Sequence, residues 1–146
     1  MPDDTFPEAA EYGRGLGPGL GLNLIVADVA RAVRFQTTVL EAQLHFQNDD
    51  FAVLSFAGSQ WMVHSDRSYR NHEMRGILEA TESRGGGAEL RLHGRDPDVA
   101  EAAARAGGYI VLAGALDKPH GRREAYIADD EGYIWVPDVP LPAESA

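Results

Sequence analysis

Short alternating runs of apolar and polar residues break this chain into small elements. LNLIVAD, from Leu22, is a run of aliphatic residues that passes at Asp28 into VARAVRFQTTVL. It predicts a strand turning into a helix, with Asp28 as N-cap because its carboxylate can accept the free amide hydrogens of the first turn, and with Val29, Val33 and Leu40 near one face. QLHFQN, FAVLSFAG and SQWMVHSD follow, separated by turn residues at Asn48-Asp49-Asp50 and Gly58-Ser59, and predict three antiparallel strands. From Arg67 to Gly87 the periodicity lapses into a connecting flap that ends in Gly85-Gly86-Gly87.

The same order then returns. AELRLHG alternates as a strand, DPDVAEAAARAGG reads as an Ala-rich helix capped by Asp98, and YIVLAGAL, RREAYIADD and GYIWVPDV read as three more strands. Asp28 and Asp98 stand 70 residues apart, each opening strand, helix, strand, strand, strand. This is a duplicated module. Expected boundaries are an N-terminal tail over 1–19, a first module over 20–66, a flap over 67–87, a second module over 88–140 and a C-terminal tail over 141–146.

Composition narrows the function. The chain has 146 residues, room for one ordinary domain, and its 44% hydrophobic content is that of a globular protein. A formal charge of −10 repels phosphate backbones, so no nucleic-acid partner is expected, whereas cationic small molecules are favoured. With no cysteine there is no disulfide scaffold, thiolate zinc site or cysteine nucleophile. The acid- and proline-rich start does not read as an export signal, and no run of about 18 apolar residues offers a membrane span. A cytoplasmic protein with no membrane partner is the expectation. The glycines of GRGLGPGLG precede the first strand instead of following one, which is wrong for a dinucleotide loop, and neither a GxSxG elbow nor an HExxH pair occurs.

The tandem βαβββ order, LNLIVADVARAVRF in the first module and KPHGRREAYIADDEGYIWVP in the second, resembles the vicinal oxygen chelate superfamily of glyoxalases, extradiol dioxygenases, fosfomycin resistance enzymes and bleomycin resistance proteins. The resemblance runs from about Leu20 to Pro140 and implies an α+β fold in which two modules curl into a cup-shaped mixed sheet. It also implies metal-ligand positions on the first and fourth strands of each module. Two of these fall on Gly21 and Val136, which carry no donor, so no metal or other cofactor is expected.

By strand alternation Asn23, Gln60, Met62 and His64 line the cup from the first module, and Glu89, Arg91 and His93 line it from the second, beside Ile134 and Val136. Glu124 enters the cup or forms an ion pair with Arg91 or Arg123. Trp61 and Trp135 fall on the core side in this register, but a slip of one residue turns Trp61 toward a ligand. Tyr69, with His72 and Met74, can close over a ligand from the flap. These residues describe a metal-free, homodimeric protein that binds a small organic molecule, and the resemblance implies antibiotic sequestration of the bleomycin resistance type. The alternatives are a lyase, isomerase or dioxygenase with a displaced metal on His64, Glu89 and Glu124, and an interaction domain whose cup is filled by its own side chains.

Overall fold

The computed structural model describes residues 6–143. Its elements are α1 (Ala9–Arg14), β1 (Asn23–Val26), α2 (Val29–Thr38), β2 (Gln43–Gln47), β3 (Phe51–Phe56), β4 (Ser59–Ser65), a 3₁₀ turn (Asp66–Tyr69), α3 (Arg75–Ala80), β5 (Glu89–His93), α4 (Pro97–Ala106), β6 (Ile110–Asp117), β7 (Arg122–Ala128) and β8 (Ile134–Pro140). They form two open four-stranded sheets of identical topology, β1-β4-β3-β2 and β5-β8-β7-β6. In each, the first strand runs parallel to the fourth and the other neighbours are antiparallel. This is the α+β, two-module architecture expected.

Two boundaries move. The cap of α4 is Asp96, not Asp98: its carboxylate accepts from the backbone N–H of Asp98 (2.8 Å) and of Val99 (3.2 Å). Pro97 explains the shift, since a fixed φ and a missing N–H suit the first helical position and leave the preceding residue as cap. Of the stretch 1–19, expected as a tail with little to pack against, 1–5 lie outside the described residues, and 6–19 carry α1, with Phe6 and Tyr12 against the first sheet.

The core lies on the helix side of both sheets. Leu24, Val26, Leu54 and Val63 pack with Val29, Val33 and Phe35 of α2, and Leu92, Ile127 and Trp135 join Ala100 and Ala104 of α4 in one continuous cluster. Phe35 meets Tyr109 edge-on at 4.8 Å, and Trp61 meets Trp135 at 5.6 Å, so the largest rings tie the modules together.

Polar contacts complete the junction. In the turn Asp129-Asp130-Glu131-Gly132, the Asp129 carboxylate accepts from the N–H of Glu131 and Tyr133 (both 2.9 Å) and from Trp135 Nε1 (3.0 Å). Burial pushes its pKa up. From that turn Tyr133 donates its hydroxyl to the Ile25 carbonyl (2.8 Å), and Glu131 accepts from Ala27 N–H (3.0 Å) and the Arg31 guanidinium (2.6 Å). Gly85, from the triple-glycine stretch, sits on this turn so closely that a Cβ would lie 2.6 Å from Tyr133 Cα. Close approach, not chain freedom, accounts for that glycine.

Candidate functional site

On each sheet the face turned away from its helix carries the candidate residues. In the first module, parallel pairing sets Asn23 beside Met62 and Ile25 beside His64, and β3 brings Phe51 opposite His64 and Val53 opposite Met62. The result is an apolar face crossed by rings. Phe46 stacks on Phe51 at 4.9 Å, Phe51 on His64 at 6.1 Å, and Tyr69 meets His64 edge-on at 5.8 Å with His72 beyond it at 4.5 Å. Burial holds the His64 pKa below its ordinary value, so the ring is neutral at neutral pH.

This face is covered from within the chain. Phe6 stacks on Phe46 at 4.8 Å, and the Tyr12 hydroxyl donates to Gln60 Oε1 at 2.7 Å. Beneath them remains a cavity of about 180 Å³ lined by Phe6, Ala9, Tyr12, Phe51, Met62 and His64.

The second module's face is charged. Arg91 on β5 reaches Glu124 on β7 in a very short contact and Asp138 on β8 at 3.1 Å. Asp138 also takes His93 Nδ1 at 2.7 Å and Arg122 at 2.8 Å, and His120 lies 3.2 Å from Glu124. Both carboxylates are buried while the basic partners reach outward. Burial pushes Glu124 up, but His120, Arg91 and Tyr126 more than offset it and hold the carboxyl below its ordinary value. Asp138 is likewise held low against its burial by Arg122 and His93. For Arg91, desolvation works against the charge, but Tyr126 and Glu124 prevail and its pKa rises.

Chemically, this network orients donors, and its Glu124 is not suited to act as a general base. A general base needs a pKa raised toward the working pH, and Glu124 moves the other way. His93 has its Nδ1 fixed on Asp138, which leaves Nε2 toward an open cavity of about 500 Å³ lined by Arg91, His93, His120, Arg122 and Asp138. A second cleft of about 510 Å³ runs between the modules, where Gln60 and Phe56 face Glu89, Arg91 and His93 over the edges of Trp61 and Trp135.

The sequence-predicted residues therefore divide. Asn23, Met62 and His64 gather on the aromatic face, whereas Glu89, Arg91, His93 and Glu124 gather on the charged one, and Gln60 stands at the cleft between them. Trp61, carried as a possible ligand contact, belongs to the core at 5% exposure, its Nε1 donating to Gln36 at 2.8 Å. Tyr69 sits in the 3₁₀ turn against His64. His64, on the first sheet, does not join Glu89 and Glu124, and no three His, Asp or Glu side chains among the described residues are grouped to hold a metal ion. Gly21 offers no side-chain donor and Val136 is fully buried, so the two positions that the resemblance assigns to metal ligands do not fit a metal. Sequence reading missed Asp138, His120, Arg122, Phe46 and Phe51. Asp138 was within reach of the same alternation, two places beyond Val136, but Phe46 is displaced by a bulge after Leu44.

No family model and no curated protein matches the sequence. Solved structures do match in shape. A glyoxalase/bleomycin resistance protein/dioxygenase from Nocardioides aligns with a TM-score of 0.63 at 20% identity, over 94% of this chain and 96% of that one. A family enzyme of the same description from Burkholderia phytofirmans aligns at 0.66 and 16%, over 82% and 96%. The fosfomycin resistance protein FosX from Listeria monocytogenes aligns at 0.62 and 12%, over 86% and 95%. At these identities the likeness establishes a shared fold.

Proposed function

We propose that this chain, which has the two-module fold of the vicinal oxygen chelate proteins, binds a small organic molecule without a metal and so acts by sequestration, as a bleomycin resistance protein does. One observation carries the reading. Where the family fold places metal ligands there are Gly21 and buried Val136, and the carboxylates nearby are consumed by Arg91, Arg122 and His93. What remains toward the cavity is a set of oriented donors beside an intermodule cleft with apolar walls, the mixture that suits an organic ligand.

A homodimer in the cytoplasm accompanies this reading. Support comes from β6, an edge strand with Ile110, Leu112 and Leu116 all more than half exposed, a surface that a second copy would cover. Such an interface buries at least about 1,200 Å². A single species near 16 kDa in sedimentation equilibrium would remove it.

The test is titration of a panel of aromatic and cationic compounds, followed by the fluorescence of Trp61 and Trp135, which border the cleft. Expected is stoichiometric binding whose affinity stays within about twofold when a chelator is added. A divalent ion bound one per chain, with turnover that the chelator abolishes, would overturn the proposal in favour of a metal-dependent lyase, isomerase or dioxygenase.

A further inference from the structure

We infer that residues 6–14 form a hinged strap whose Phe6 ring occupies the place of a ligand's aromatic ring on the first sheet, so that binding there requires the strap to leave. The inference rests on the small-molecule reading and specifies its ligand as one that carries a planar aromatic group.

Three independent features converge. First, the strap is lightly held: α1 buries none of its residues, and its described contacts to the sheet are the stack of Phe6 on Phe46 and the hydrogen bond from Tyr12 to Gln60. Second, what it covers is a prepared surface. Phe46, Phe51 and His64 lie in a stacked series at 4.9 and 6.1 Å, and Phe6 extends that series by one ring at 4.8 Å. A free aromatic ring placed there would meet the same faces. Third, the strap is followed at once by the glycines of GRGLGPGLG, which neither a nucleotide loop nor packing explains. A Cβ added at Gly17, Gly19 or Gly21 would meet nothing within 4 Å, and Gly19 takes a φ of +125° that side chains resist. At Gly17 and Gly21 neither a close contact nor a left-handed backbone calls for glycine, so what they supply beside the strap is chain freedom.

The cavity left under the strap, about 180 Å³, is too small for a drug-sized molecule. With Phe6 and α1 lifted, it opens onto the whole ring series and continues past Tyr12 to Gln60, which also borders the intermodule cleft. The strap thus acts as an internal competitor. Apparent affinity is the intrinsic affinity reduced by the fraction of molecules with the strap open.

The probe is N-methylquinolinium, a planar cation suited to a chain of −10 charge. Its affinity is measured by calorimetry for the full chain and for Phe6→Ala, while the Met62 methyl resonance reports occupancy beneath the strap. Phe6→Ala is expected to bind about two- to tenfold tighter, the factor corresponding to one lost aromatic contact. In both proteins the probe should move the Met62 methyl signal. Tyr12→Phe keeps every ring and loses only the hydrogen bond to Gln60, so it covers the case in which Phe6→Ala folds poorly, and it should also bind more tightly than the full chain. Equal or weaker binding by the strap variants, or a Met62 signal that the probe leaves unmoved, would overturn the inference. Tighter probe binding in Phe6→Ala together with a bound divalent ion and turnover that a chelator abolishes would instead remove the proposed function and leave the strap standing.

Discussion

The two halves of this molecule share a topology strand for strand, yet their exposed faces solve opposite problems. On the first sheet the face is apolar and aromatic, and a segment of the same chain lies over it. On the second it is ionic and open, and its charges satisfy one another. An apolar face left in water costs free energy in proportion to its area, so it needs a cover. Paired charges need none, because the partly hydrated rim keeps the guanidinium groups solvated while hydrogen bonds hold the buried carboxylates. Duplication therefore fixed the backbone and left the side chains free to diverge into one stacking surface and one hydrogen-bonding surface.

The largest effect is expected from breaking the ionic side. Asp138 is fully buried and accepts from Arg91, Arg122 and His93. Asp138→Ala leaves two guanidinium groups without their shared anion, and should cost about 3–5 kcal/mol in urea unfolding. A loss near zero would mean that the network is a solvated surface and the contrast between the faces is overdrawn.

Next comes the joint that keeps the halves in register. Gly85→Ala places a methyl group against the Tyr133 backbone, with 2.6 Å where ordinary contact needs more than 3.4 Å. Overpacking of that kind should destabilise by about 1–3 kcal/mol. Because Tyr133 bridges to Ile25, the change should also broaden the amide signals of β1, and a loss confined to the second module would deny that the turn couples the modules.

A smaller effect is expected on the aromatic side. Phe6→Ala removes one stacked contact from an exposed segment and should cost about 0.5–1.5 kcal/mol, below Asp138→Ala by a clear margin. The reverse order would make the strap a structural element instead of a removable cover.

These contrasts also show what the sequence could reveal. Period-two alternation and the repeated order of elements were enough for two βαβββ modules, although the second cap is Asp96 and not Asp98, because burial on the helix side forces Leu24, Val26, Trp61, Val63, Leu92 and Trp135 inward whatever the opposite face does. The candidate lining of Asn23, Met62 and His64 followed from the same parity and carries no information about distance between sheets, so it joined in one cup residues that the structure keeps on two faces. The bulge after Leu44 moved Phe46 out of simple alternation, and the strap was invisible because α1 is six residues long and amphipathic to no core. Asp138 lies two residues beyond Val136, the last position to which the family resemblance assigns a role.

The smallest and most selective effect concerns protons. His72, His93 and His120 each lie beside a carboxylate, whereas His64 has no such partner among the described residues and is set between Phe51 and Tyr69 on a face that also holds Ile25 and Met62. Its burial disfavours the charged form and lowers its pKa in the folded protein. The unfolded chain therefore binds a proton first as the pH falls below about 6.5, the ordinary histidine value, and the folded state loses stability until His64 is protonated in place as well. Glu124 and Asp138, also held low, withdraw their own contribution only at the acid end, as the pH falls through their folded values. The two faces thus titrate in separate windows. Urea midpoints measured from about pH 8 down to about pH 5 should fall across the histidine window in the natural sequence and flatten there in His64→Gln, with the acid limb unchanged. A decline that persists in the variant would show that burial of His64 is not its source, and would separate the stacked face from the proton sensitivity.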